Sequence, residues 1–423
     1  MSFIKNIHSK ITDFFINKGL QRPMLAVSLF LMLYGSIGYV SRYHFKGSFG
    51  FVICVIGVLL ACLCTKPKIN ISSFITLGAL SALGAVLGFI HGDGVKRIVI
   101  DVLSLVIAFA WICFVDFEAF KRAFLDVFLF TSVYGIAAWI TYSVFPQAIS
   151  IFPKMPCGVL DAYDLFFCVI RDIRSGPLRL YSFAWEPGAY QTFLNIAILI
   201  AGMQKKHRLI NLAILYTALV LTFSTTGYIV GIMNIAILIF AVNIDNKQKI
   251  KKYILIASAA GLVFLAVATA TGITQYVFNK VLGMFDGLSS NGVSTSSARV
   301  DSLFYPLVAF INNPLLGVGQ SGLDEIRSTL PHSVLSCTPT NYLAIYGIFY
   351  SAIIGACWYK FIKLIVGKNR FIIIAGLISF IVSIISEHYV TYITMNMFIL
   401  YGSTLLFNNT KLKKGLTNES SVN

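Results

Sequence analysis

Charge is scarce in this chain, and negative charge scarcer still. Of its 423 residues 12% are charged, and only 17 are Asp or Glu against 33 Lys and Arg. A soluble domain carries roughly twice that charged fraction, about 25%, so an ordinary water-soluble enzyme is excluded. Phosphate-cradling signatures are missing as well: no GxGxxG is followed by an acid, and no GKS or GKT loop occurs. Nucleotide-driven chemistry is therefore not expected. The eight cysteines show no zinc-site spacing, and neither a metal nor a cofactor is expected. The alternating pattern of a membrane β-barrel is absent. So is a cleavable signal, because no small-residue cleavage site follows a short apolar core.

What the chain has is apolar length. Hydrophobic residues make up 57% of it, in runs long enough to cross a ~30 Å hydrocarbon core as helices. Candidate spans lie near 24–40, 49–64, 71–90, 98–115, 124–144, 189–203, 209–223, 228–242, 253–270, 341–359, 371–386 and 392–407. Backbone polar groups in lipid must be satisfied within their own segment, so helices are expected. The predicted fold class is an all-α polytopic membrane protein with about twelve transmembrane helices, both termini cytoplasmic and two long extracytoplasmic loops. Its segments are a basic N-terminus (1–23), five spans (24–144), a first loop (145–188), four spans (189–270), a second loop with interfacial helices (271–340), three spans (341–407) and a tail (408–423).

Charge placement tests that map independently. The N-terminus, every second connector and the tail together hold 22 of the 33 basic residues and five acids, while the rest of the chain holds 11 bases and 12 acids. Such asymmetry is a topology signal, positive inside, and not a nucleic-acid footprint. No nucleic-acid partner is expected; the lipid bilayer is. In the first 23 residues Phe3, Ile4, Ile7, Ile11, Phe14 and Phe15 recur at helical spacing among Lys5, Lys10 and Lys18. That pattern suits an amphipathic helix on the membrane surface, with a partly ordered basic tail as the alternative. Cys54, Cys62, Cys64, Cys113 and Cys357 fall in spans as small hydrophobes. Cys157, Cys168 and Cys337 fall in the outer loops, leaving room for one disulfide and one spare thiol.

The polar chemistry concentrates in the two loops. The first contains Lys154, Arg171, Asp172, Arg174 and Arg179, then Tyr181, Phe183, Trp185 and Glu186-Pro187-Gly188 just before a span. Guanidinium presents a planar fork that pairs phosphate oxygens bidentately. Aromatic rings beside it suit sugar faces, or equally the membrane interface. The second loop carries a Ser/Gly-rich stretch, then Arg299 and Asp301, the apolar run SLFYPLVAFINN, the turn PLLGVGQ, and Pro331-His332-Ser333. SLFYPLVAFINN is too short to span, so an interfacial helix is expected there. GVGQSG alone is weak evidence for phosphate binding, since no lysine completes it.

Three places resemble one family. An Arg followed by an apolar run, then NPLLGVG, a His and another span is similar to the signature region of bacterial O-antigen polymerases (Wzy-type) and O-antigen ligases. Arg179 to Gly188 resembles the same superfamily's R…GxFxEPxxxA segment at the outer end of a span. Ser224-Thr225-Thr226-Gly227 matches its Ser/Thr-Gly turn. Two departures stand out: Thr226-Gly227-Tyr228 lacks the Arg that ligases usually carry in this turn, which favours polymerase. His332 lies fifteen residues before Gly347-Ile348 rather than about eleven.

The resemblance implies a GT-C-like glycosyltransferase of the bacterial inner membrane, with its active site facing the periplasm or exterior. It would transfer a polyprenyl-pyrophosphate-linked oligosaccharide onto another lipid-linked repeat, with a flippase and a chain-length regulator as partners. Developing charge on the pyrophosphate leaving group needs cations, for which Arg179 and Arg299 are the candidates, then Arg174 and Arg171. The acceptor hydroxyl needs a base, with Glu186 first and His332 second; Trp185 and Tyr181 are candidate sugar contacts. One alternative is an O-antigen ligase delivering polymer to lipid A-core. Another, of a different class, is a transporter or flippase using Asp101, Asp126 and Glu387.

Overall fold

The computed structural model describes residues 10, 12–39, 48–157, 160–165, 168–171, 178–243, 246, 248–255, 258, 269, 295–330 and 335–406. Its helices, after a short helical stretch at 12–17, are α1 (Gln21–Ile37), α2 (Ser48–Cys64), α3 (Ile71–Ile90), α4 (Val95–Phe114), α5 (Phe117–Val144), α6 (Pro187–Met203), α7 (Arg208–Leu221), α8 (Thr225–Asn243), α9 (Thr295–Asn312), α10 (Gly319–Thr329), α11 (Thr338–Val366), α12 (Arg370–Ile384) and α13 (Ile393–Ser403). Eleven of the twelve candidate spans coincide with one of these helices, and most of 253–270 lies outside the described residues. Five helices, α3, α4, α5, α8 and α11, are long and apolar enough to cross a membrane, while α2, α7 and α12 are apolar but shorter. By length and composition the expected twelve therefore stand at five among the described residues.

Local chemistry explains where the helices start. Asn70 accepts from the Ser73 amide before α3, Asp116 from that of Ala119 before α5, and Asn369 from those of Phe371 and Ile372 before α12. Each satisfies N–H groups with no intrahelical partner. Pro187 and Pro339 stand in the first turns of α6 and α11, where a missing N–H costs nothing.

Two helices lie at the centre. In α6 15 of 17 residues are buried, and in α13 all 11 are. Helices apolar all round belong in an interior. Rings fill the space between them and their neighbours: Phe124 stacks on Phe128, and Phe361 on Phe398, each with centroids 4.6 Å apart. The peripheral helices turn large apolar side chains outward, among them Phe74, Phe89, Phe130 and Phe371. Such a surface suits a hydrocarbon surrounding and would be an aggregation hazard in water.

A polar ladder inside the bundle locks α6 in place. Gln191 and Thr192 donate to the Ser383 carbonyl, Asn195 to Gln191, Asn234 to Asn195, and Ser379 to Asn234. In an apolar medium these side chains join helices because leaving them unpaired is expensive. The ladder ties α6 to α8 and α12, and so fixes the helix whose first turn follows Glu186.

The first loop holds more than a connection. After a 3₁₀ turn at Pro146–Ile151, four strands, β1 (Lys154–Cys157), β2 (Leu160–Leu165), β3 (Cys168–Arg171) and β4 (Arg179–Leu180), form an antiparallel meander in sequence order. The fold is helical, as expected of an all-α membrane protein, and carries a small sheet at one end. Trp139 on α5 donates to the Leu178 carbonyl and anchors that sheet. Cys157 pairs with Leu160 at one end of β2 and Cys168 with Leu165 at the other. Five residues along a strand is about 17 Å, whereas a disulfide needs Cα atoms within ~7 Å. Cys337 is free and buried, and burial pushes its thiol above the usual range. No pairing of the three outer-loop cysteines fits this register.

The helix expected in the second loop begins earlier than predicted, at Thr295, and ends at Asn312 just before the PLLGVG turn. That turn sits on a kink in α11. Gly317 and Gly347 both have φ above 70°, Val318 N–H donates to the Ala344 carbonyl, and Ile348 N–H to that of Pro314. A Cβ on Gly347 would run into the Leu315 backbone, so only glycine permits this approach. The N-terminus of α10 has an anion of its own: both oxygens of Asp93 accept from the Gln320 and Ser321 amides.

Candidate functional site

The stretch from Arg179 to Gly188 converges with three other segments at the sheet end of the bundle. Arg179, half-buried on β4, donates from Nε to the Thr222 carbonyl at 3.0 Å and from Nη2 to that of Phe223 at 3.3 Å. These are orphan carbonyls at the end of α7, and a guanidinium fork bridges them as no single ammonium can. Arg179 thus clamps its own segment to the two residues that precede the Ser224–Gly227 turn at the start of α8. Arg171 is the backbone partner of Arg179 across β3 and β4, so two of the expected pyrophosphate contacts are adjacent in the sheet.

Glu186 caps α6 from an extended backbone and accepts the Trp185 indole N–H on Oε1 at 2.9 Å. Trp185 itself is buried, its ring 5.7 Å from Tyr389 and 5.3 Å from Tyr392. Tyr181 is buried too. Both rings were expected to face sugar; their faces are packed by protein, and Trp185 instead orients a carboxylate.

Sequence reasoning missed the loop between α12 and α13 as part of this site. Glu387 is 4% exposed, and its carboxylate lies against Gly188, where a Cβ would collide with it. Glu387 thus lies at the N-terminal turn of α6, which Glu186 precedes, and aligned peptide dipoles there favour negative charge. His388 shares a hydrogen bond with Asn341 Nδ2 at 2.7 Å. Tyr389 donates its amide to Thr338 Oγ1 and its hydroxyl to the Ala189 carbonyl. Burial, reinforced by Glu387 and Glu186 nearby, holds the Tyr389 phenol well above its ordinary pKa, so it stays a neutral donor. The visible signal was Ser386-Glu387-His388-Tyr389, two titratable groups in a connector of a few residues.

Two further observations concern this end of the bundle. Thr225 Oγ1, Asn341 Oδ1 and Ser386 Oγ are buried with no hydrogen-bond partner among the described residues; such groups are rare in well-packed proteins. Ser182, Phe223 and Thr391 adopt positive φ, three of the four non-glycine residues that do so among the described residues. Left-handed backbone at non-glycine residues costs about 1–3 kcal/mol each and clusters at functional sites.

The remaining expected residues are less central. Arg299 is exposed on α9, one turn before Ser302, whose carbonyl accepts from Thr340 near the start of α11. Arg174 and His332 lie outside the described residues, as does the side chain of Arg171. A cavity of about 840 Å³ opens at the opposite end of the bundle. No family model and no curated protein matches the sequence.

Proposed function

We propose that this chain is a membrane glycosyltransferase of the O-antigen polymerase type, joining polyprenyl-pyrophosphate-linked oligosaccharide repeats at the outer face of the bacterial cytoplasmic membrane. The observation that carries the reading is the convergence of Arg179, Glu186, Glu387 and His388 at the head of the buried helix α6, beside three unpartnered buried polar atoms. A sugar acceptor offers hydroxyls to such atoms, and its attacking hydroxyl must lose a proton as the anomeric carbon is attacked.

Glu186 is the base in this scheme. Trp185 donates to one carboxylate oxygen and so orients the group. Glu387, behind Gly188, adds a negative charge at the head of α6, and His388 is an alternative proton acceptor within the same loop cluster. Arg179 and its strand partner Arg171, with Arg299 on the neighbouring helix, supply positive charge toward the departing pyrophosphate. The packed faces of Trp185 and Tyr181 make them positioning residues here and not sugar platforms.

Deleting only this chain and resolving the surface glycolipids of the strain tests the reading. Core carrying a single repeat, with the ladder of longer chains gone, is the expected result. Bare core, with polymer stranded on the carrier lipid, would reassign the protein as a ligase. An unchanged ladder and unchanged capsule would exclude both.

A further inference from the structure

The opposite end of the bundle carries a cavity that the proposed transfer reaction does not use. About 840 Å³ in volume, it lies between the stretch around Thr12, α1, the start of α3, the end of α4 and the start of α5. Its walls are of two kinds. Leu25, Phe109, Ile112, Phe114 and Phe117 make an apolar side, while Arg22, Lys66, Lys68 and Arg122 supply four cations against the single carboxylate of Asp116. That carboxylate is occupied in capping α5 through the Ala119 amide.

A second hollow of about 430 Å³ adjoins it, sharing Arg22 and Arg122 and adding Lys206 and one acid, Asp126. Together the two hollows hold five cations and two acids. Asp126 holds the Arg22 fork in place, taking Nε at 2.7 Å and Nη2 at 2.6 Å. Lys66 approaches only Asp13, at 3.8 Å, and Lys68 and Arg122 have no ion-pair partner among the described residues. Like charges gathered round an apolar hollow repel one another, and an anion between them relieves this.

Residues 1–9 contain Lys5 and no acid, and 407–423 contain Lys411, Lys413 and Lys414 against Glu419 alone. A ligand with a phosphate head and an apolar body fits both walls. We propose that this cavity is a binding site for the headgroup of an anionic phospholipid, whose phosphate meets Lys68, Arg122, Arg22 and Lys66 while its glycerol and upper acyl carbons lie along Leu25, Phe109 and Phe117. Basic pockets between membrane helices take anionic headgroups in this way, and a pocket of this size is within the range that encloses small molecules. The site is independent of the transferase reading and stands whichever reaction occurs at the sheet end.

The test uses the full chain reconstituted in phosphatidylcholine vesicles with a minor fraction of phosphatidylglycerol, then extracted and weighed by native mass spectrometry. Phosphatidylglycerol is expected to stay bound in preference to phosphatidylcholine. Lys68→Gln with Arg122→Gln should lower its retention about thirtyfold, the effect of two basic residues at a charged surface. Lys360→Gln with Lys363→Gln, the same loss of charge elsewhere, should lower it far less. Ala119→Phe, which fills the cavity without changing charge, should also release the lipid and serves if the charge variant does not fold. Equal retention of the two lipids, or an equal loss in the Lys360/Lys363 variant, overturns the site. Inorganic phosphate that stabilises the protein in pure phosphatidylcholine and displaces the lipid would assign the cavity to a soluble anion and overturn the proposal.

Discussion

At the residue scale the deciding feature is how side chains at the head of α6 divide their work. Arg179 spends two N–H groups on the Thr222 and Phe223 carbonyls, so it fixes the site as well as adding charge to it. Arg179→Lys keeps the charge and can reach one carbonyl. The expected loss is about 1.5–3 kcal/mol of charge-assisted hydrogen bonding, read as a lower melting temperature together with shortened polymer. Normal melting and normal polymer length would remove Arg179 from both roles. Glu186→Gln preserves an oxygen for the Trp185 indole but abolishes basicity. This variant should fold and still bind lipid-linked repeats while polymerising at least ~100-fold more slowly. If it works normally and His388→Ala does not, the proton goes to the histidine.

At the element scale, positions that look like connectors do structural work. Gly347 kinks α11 at a φ of 71° where the PLLGVG turn presses on it. Gly347→Ala combines a disfavoured backbone with a collision against Leu315. A loss of about 2–4 kcal/mol is expected, visible as a lower thermal midpoint and as protease cleavage near residues 313–319. Ala substituted at Gly355, in open space on the same helix, is the control and should leave stability almost unchanged. The sheet gives the second prediction at this scale. Its register separates Cys157 from Cys168, and Cys337 is a free thiol. Alkylation of the denatured, unreduced protein should therefore modify all eight cysteines, and a product two groups short would mean that the loop pairs differently.

At the scale of the whole molecule, the two ends differ in kind. One gathers a sheet, two carboxylates and strained backbone; the other gathers cations around hollows. We expect the basic asymmetry between connectors to orient such a bundle with its basic end inward. Single cysteines placed at Ser175 and Ser290 should then react with an impermeant reagent on intact cells, while those at Lys206 and Lys249 should react only after lysis. Labelling of position 249 from outside would invert the assignment and put the proposed transfer site on the wrong face.

How far the sequence alone reached follows from which interactions are local. Apolar runs of span length, and caps such as Asn70 and Asp116, act within a few residues, so helix positions were legible; α3 falls where its run predicts, at Ile71–Ile90. The segment from Arg179 to Gly188 was legible for the same reason, since its Arg, Glu and Pro-Gly are dense and contiguous. The four-stranded sheet was not, because strands of two to six residues with no clear alternation leave little periodic trace. Nor was the approach of Glu387 to Gly188, about two hundred residues away, which depends on where the polar ladder from Gln191 to Ser383 seats α6 against α12. Length and local chemistry determined the helices and the sidedness of charge. Only packing decided that an eight-residue connector near the C-terminus would bring Glu387 against the head of α6, and that the rings of Tyr181 and Trp185 would be buried.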